Sequence, residues 1–142
     1  MVREIVRDVE LLQKQCKSVK HSKEVKELIQ DLVETAKVHA EEDNCVGLAA
    51  NQIGSDQRVI VCRLSETDWT VMINPVIVDR SRETWVSEEG CLSLEGTRTV
   101  KRHLKIKVMY KGINNKMCTK VVSGFPAAIV QHEIDHLNGR LI

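Results

Sequence analysis

The sequence has no apolar run long enough to cross a bilayer. Its opening, MVREIVRDVELLQKQ, has neither an apolar core nor a small-residue cleavage site. A membrane span and a secretory leader are therefore not expected, and a cytoplasmic location follows. Charge of one sign is also missing. Lys and Arg number 21 and Asp and Glu 20, interleaved, for a formal net charge of +1. That balance marks neither nucleic acid nor a membrane surface as a partner. The five cysteines, Cys16, Cys45, Cys62, Cys91 and Cys118, are odd in number, widely spaced and contain no CxxC pair. This argues against a disulfide framework and for free thiols or a metal ligand. No internal repeat, low-complexity segment or linker divides the 142 residues, so a single domain over 1–142 is expected.

Apolar residues make up 42% of the chain, which is ordinary for a globular domain with a real core. In SKEVKELIQDLVETAKVHAEED, Val25, Leu28, Ile29, Leu32 and Ala36 share one helical face. Ser22 is placed to cap that helix, with Glu24 in its first turn. Segments 57–64, 69–78, 104–110 and 116–122 are rich in β-branched residues and read as strands, the last two joined by a turn at KGINN. A final helix begins near Pro126 and is stopped by Gly139, with Ala127, Val130, Ile134 and Leu137 as its apolar stripe. The expected class is α+β: short mixed or antiparallel strands packed around a C-terminal helix, with an amphipathic helix before them.

The chemistry is concentrated in QHEIDHLNGRLI, Gln131 to Ile142. Residues four apart on a helix lie on one face, so His132 and His136 can hold one metal ion between them. Glu133 beside them can reach a water on that metal. This is the HExxH arrangement, two ligands and a general base on one helix. By itself it is short enough to occur by chance, and it needs a third ligand. In one protease group the pattern continues as HExxHxxGxxH, but here the last position is Ile142, which cannot bind metal. None of the six residues after His136 is acidic, so the third ligand comes from upstream or from another subunit. Cys91, in SEEGCLSLEG, is the best candidate: a thiolate binds zinc or iron strongly, and Gly90 suits a bent, ligand-bearing turn. Cys62 and Cys118 lie in strand patterns and read as small core residues. Cys16 falls in a polar stretch, and His103, after Lys101 and Arg102, is expected at the surface. Cys45 stays open as an alternative.

With GLAANQIG and EEGCLSL preceding it in order, QHEIDHLNG resembles the third of three motifs of the peptide deformylases. The resemblance covers most of the chain. It implies removal of the formyl group from the N-terminal formyl-methionine of newly made polypeptides. It also implies a divalent metal, commonly ferrous iron with zinc or nickel accepted, on Cys91, His132 and His136. Glu133 matches the catalytic glutamate. Gln52 and the backbone N–H of Leu92 match the two groups that bind the carbonyl oxygen. Gly47 matches a substrate-lining glycine, and Cys45 and Glu89 are expected beside the substrate as well. Asp135, two residues from Glu133, is assigned a supporting role with Arg102 as partner. The pattern departs at Cys45, where the family usually has glycine, and at the end, since many bacterial relatives continue past the third motif into an extension implicated in ribosome contact. Docking by that route is not expected here. Two other readings are a small metallopeptidase-like hydrolase using the same residues and a non-catalytic protein that captures formylated N-termini. An intact Glu133 argues against the second, because a binder has no need of a general base.

Overall fold

The computed structural model describes residues 1–142. Its main element is a five-stranded sheet in the order β1-β2-β3-β6-β7, every neighbouring pair antiparallel. The strands are β1 (Gly47–Ala49), β2 (Val59–Arg63), β3 (Trp69–Arg80), β6 (Lys105–Lys111) and β7 (Met117–Ser123). The remaining two, β4 (Thr84–Cys91) and β5 (Leu94–His103), form a separate long hairpin. The helices are α1 (Val9–Leu12), α2 (Lys26–Asp43) and α3 (Phe125–Leu137). None of them is long and apolar enough to cross a membrane.

Successive side chains of a strand point to opposite faces, and β2 shows what that does here. Val59 and Val61 go to one cluster with Val25, Leu32 and Ala36 around α2. Ile60 and Cys62 go to the other, with Met72, Ile106 and Val108 and the α3 stripe Ala127, Val130, Ile134 and Leu137. The sheet is thus covered by α2 on one face and α3 on the other. Each fully buried Val, Leu or Ile in these clusters contributes roughly 1.5–3 kcal/mol relative to an exposed one.

Both helices run close to their expected spans, but the entry to α2 differs. A 3-10 turn over Ser22–Val25 precedes it, and the cap of that turn is His21, whose ring accepts from the Lys23 N–H at 3.1 Å. Ser22 is buried instead, its own N–H donating to Asn115 Oδ1 at 2.9 Å. Two cysteine expectations also change. Cys16 is buried in the α3-side core rather than lying on a polar surface, and Cys118 is only half-buried. The β4–β5 hairpin is an addition that the apolar pattern does not reveal.

The end of α3 is pinned from outside. The Cys16 N–H donates to the Leu137 carbonyl at 2.8 Å, and Arg58 Nη1 donates to the same oxygen at 3.2 Å. Gly139 follows in the left-handed region with φ 77°, and a Cβ there would stand 2.3 Å from the Gln13 carbonyl oxygen. The chain stop and the close approach of the N-terminal segment therefore both need glycine at this position. Gln131 ties α3 to the hairpin: its Oε1 accepts from the His103 N–H at 3.0 Å and its Nε2 donates to the His103 carbonyl at 2.9 Å. His103 is consequently half-buried, not a free surface residue.

Candidate active site

A cavity of about 550 Å³ opens between α3, β1 and the β4–β5 turn. Its walls include Cys45, Gly47, Gln52, Glu89, Cys91, Leu92, His132 and Glu133, so residues from all three sequence motifs meet there. Val46, Phe125, Ala128 and Ile129 give it an apolar side.

On α3 the four-residue spacing does what the sequence implies. His132 and His136 are both buried, with Nε2 of one facing Nε2 of the other at 2.9 Å and rings edge to face. His132, Glu133 and His136 bring their ligand atoms within 4.8 Å of one another. Cys91 lies on the cavity wall outside that group of three, and His132 together with the backbone at Ser93 and Leu94 stabilises its sulfur as the anion. Burial works to raise the Cys91 thiol, but those contacts outweigh it and bring it below its ordinary value.

Behind His132 stands Glu89. Its Oε1 accepts from His132 Nδ1 at 2.8 Å, and Arg102 grips both carboxylate oxygens, Nη2 to Oε1 at 2.6 Å and Nε to Oε2 at 2.9 Å. Arg102 Nη1 goes on to Asp135 Oδ2 at 2.6 Å. Glu89 lines the cavity wall, and its carboxylate is taken up by Arg102 and His132, where it fixes the imidazole's tautomer and direction. Asp135 thus pairs with Arg102, the partner named for it from the sequence.

The two buried glutamates have opposite surroundings. Burial acts to raise Glu89, but the bonds from His132 and Arg102 hold it down at about 2. Glu133 is raised to about 7, chiefly by burial, against the pull of His132. Its Oε1 is buried with no partner, and its Oε2 lies over Gly47, where a Cβ would come within 2.6 Å. Glycine at 47 is thus required by the glutamate itself. Burial disfavours a charged His132, yet Cys91, Glu89 and Glu133 together lift it to about 10. Burial, then the charge on His132, push His136 down to about 3. Two ring nitrogens this close repel each other unless a proton or a cation lies between them, and the sulfur and carboxylates around them favour a cation at that spot. Two imidazole nitrogens, a thiol shifted toward easier ionisation and a carboxyl with an open oxygen form a donor set that fits a borderline divalent metal such as zinc or ferrous iron.

Gln52 sits on the 3-10 turn after β1, fully buried. Its Oε1 accepts from the Ala49 N–H at 3.0 Å, which aims the amide, and its Nε2 donates to Ser93 Oγ at 3.2 Å. An amide nitrogen carries two hydrogens, so one remains for a ligand. The Leu92 N–H, in the turn after Cys91, has no acceptor within the chain. Ser93 and Asn51 escaped the sequence reading. Asn51 Nδ2 donates to the His136 carbonyl at 2.7 Å and so fixes the 3-10 turn to α3. Their only sequence signal is adjacency to Leu92 and Gln52.

The sequence model for the polypeptide deformylases matches residues 2–142. A peptide deformylase of Clostridium beijerinckii is 39% identical over 142 residues, covering 100% of both chains. Among solved structures, the peptide deformylase of Thermotoga maritima aligns with a TM-score of 0.89 at 35% identity, covering 99% of this chain and 95% of its own. A class I type b peptide deformylase of Acinetobacter baumannii, bound to Met-Ala-Ser, aligns with a TM-score of 0.85 at 34% identity, covering 99% and 97%. On the sequence match across nearly its whole length and on these relatives, the chain belongs to the polypeptide deformylase family.

Proposed function

We propose that this enzyme hydrolyses the formyl amide at the N-terminal formyl-methionine of newly made polypeptides in the cytoplasm, releasing formate and a free amine. We assign Cys91, His132 and His136 as the ligands of one divalent metal, with ferrous iron as the working ion and zinc or nickel as substitutes. When bound, such an ion acidifies a water and polarises the formyl oxygen.

The chain's own residues do the rest. Glu133 accepts the proton of the attacking water and returns it to the departing amine nitrogen, a task suited to a carboxyl raised toward neutrality. The free hydrogen of Gln52 Nε2 and the Leu92 N–H donate to the formyl oxygen as negative charge grows on it. Glu89, held by Arg102, keeps His132 in one orientation throughout. Val46, Phe125, Ala128 and Ile129 offer the methionine side chain an apolar wall. The observation that carries this reading is the unpartnered, buried Glu133 oxygen beside the facing histidine nitrogens. A metallopeptidase could use the same three residues, but the relative that binds Met-Ala-Ser is a peptide deformylase and holds the peptide left after deformylation of formyl-Met-Ala-Ser.

The test is formate release from formyl-Met-Ala-Ser by protein loaded anaerobically with ferrous iron, beside unblocked and acetylated peptides. Turnover of the formyl peptide alone supports the assignment. Cleavage of the unblocked peptide's internal bonds would make the protein a peptidase instead.

A further inference from the structure

Cys45 lines the cavity, and its thiol has an acceptor that the proposed reaction needs. Strand β1 is the edge of its sheet, and its pairing with β2 sets the direction of each carbonyl. The Arg63 N–H donates to the Val46 carbonyl at 2.8 Å, which makes Val46 and Arg63 a bonded pair. Bonded and non-bonded pairs alternate along an antiparallel ladder, so Gly47, opposite Cys62, turns its N–H and carbonyl away from β2. Ala49, two residues on, does the same, its N–H going to Gln52 Oε1. The Gly47 carbonyl thus points outward from the sheet edge, and its oxygen accepts from Cys45 Sγ at 3.1 Å.

A second, independent feature makes that carbonyl a ligand site. Glu133 Oε2 lies directly over Gly47, and its Oε1 is buried without a partner in the same cavity. If Glu133 hands the proton to the departing nitrogen, that nitrogen sits next to Gly47, and the outward carbonyl is there to accept its N–H. Resting on the function proposed above, we propose that Cys45 is a positioning residue that competes with the substrate's formamide N–H for the Gly47 carbonyl oxygen. Substrate must turn the thiol away or share the oxygen with it, so Cys45 weakens ground-state binding and leaves the chemical step alone. Burial and the nearby Glu133 charge keep the thiol protonated, pushed up to about 12, so it is a donor at neutral pH.

The test is a three-variant series with formyl-Met-Ala-Ser as substrate. Cys45→Ala removes the competing donor, and KM should fall roughly twofold to fivefold, the size of a weak neutral hydrogen bond, with kcat unchanged. Cys45→Ser puts a stronger donor on the same carbonyl, and KM should rise. Both side chains are smaller than cysteine, so if the sulfur acted only by filling space both variants would lower KM, and that result overturns the proposal. A second readout needs no turnover. The infrared S–H stretch of Cys45, isolated as a wild-type minus Cys45→Ala difference, should move to higher frequency when Met-Ala-Ser is added. An unmoved band with peptide bound would also overturn it. Failure of wild-type turnover would remove the proposed function, whereas the position of the S–H band in the peptide-free protein would still report the contact with Gly47.

Discussion

The two sheets of this molecule are built on opposite principles. The five-stranded sheet buries Val59, Ile60, Val61, Cys62, Met72, Ile73, Ile106 and Val108. The β4–β5 hairpin has no buried apolar residue; the residues it and its turn bury are Ser87, Glu89, Ser93 and Arg102. One sheet holds the fold together by removing hydrocarbon from water. The other is held through polar contacts: the Glu89–Arg102–Asp135 chain, the Gln131 clasp and the ladder between its own strands. Buried polar groups stabilise only while all their partners are present. The hairpin therefore carries reactive groups such as Cys91 at the expense of tolerance to change, and the larger sheet fixes α3 so that the two halves meet at His132.

This contrast can be broken at several points. The largest effect is expected at the meeting line. Glu133→Gln should keep metal and fold and lower turnover by a factor on the order of 10²–10⁴, as removal of a general base does. Formate release together with metal analysis checks it; wild-type turnover in the pure variant would take Glu133 out of the reaction. In the hairpin, Arg102→Met leaves the Glu89 carboxylate buried without its cation and the half-buried Asp135 with only the more distant Arg140. A loss of about 3–5 kcal/mol in denaturant unfolding is expected, with metal affinity lower by roughly 10–100-fold because Glu89 no longer holds His132 firmly.

Gln52→Leu should lower kcat by about 10²–10³ with little change in KM, since its amide matters most as charge develops on oxygen. Steady-state kinetics decide this, and a change confined to KM would mean that Gln52 only holds substrate. The smallest effect belongs to the scaffold. Ile106→Val should cost about 0.5–1.5 kcal/mol of stability and leave kcat/KM where it was. A loss of activity from that distant change would show that the sheet and the site are not separable.

The same contrast explains what could be read from the sequence. Elements that bury apolar side chains announced themselves: the stripe of α2, the stripe of α3 and the β-branched runs of β2, β3, β6 and β7 all lie within a few residues of where they were expected. The hairpin did not, because its inward positions are Ser87, Glu89 and Arg102, and polar residues there give no apolar alternation. Yet it holds the EEGCLSL motif, so the sequence disclosed this region's chemistry without its structure. For Glu89 the motif showed proximity to the site, which the cavity wall bears out, and not what its carboxylate's lone pairs are bonded to. Ser22 looked like a helix cap by type and register, but Asn115 claims its N–H and draws it into the interior. Cys16 and Cys118 were exchanged, one buried and one half-exposed, because a lone thiol has no pattern of its own.

One measurement separates the two sheets most directly: metal content and melting temperature for Cys91→Ala and Cys62→Ala, each assayed after loading and after chelation. Cys91 ends the hairpin and touches His132, whereas Cys62 is wholly buried in the large sheet. The account predicts that Cys91→Ala falls well below one metal per chain while its metal-free melting temperature stays close to wild type. Cys62→Ala should keep one metal per chain and melt at a lower temperature. Equal, stoichiometric metal in both proteins would contradict it.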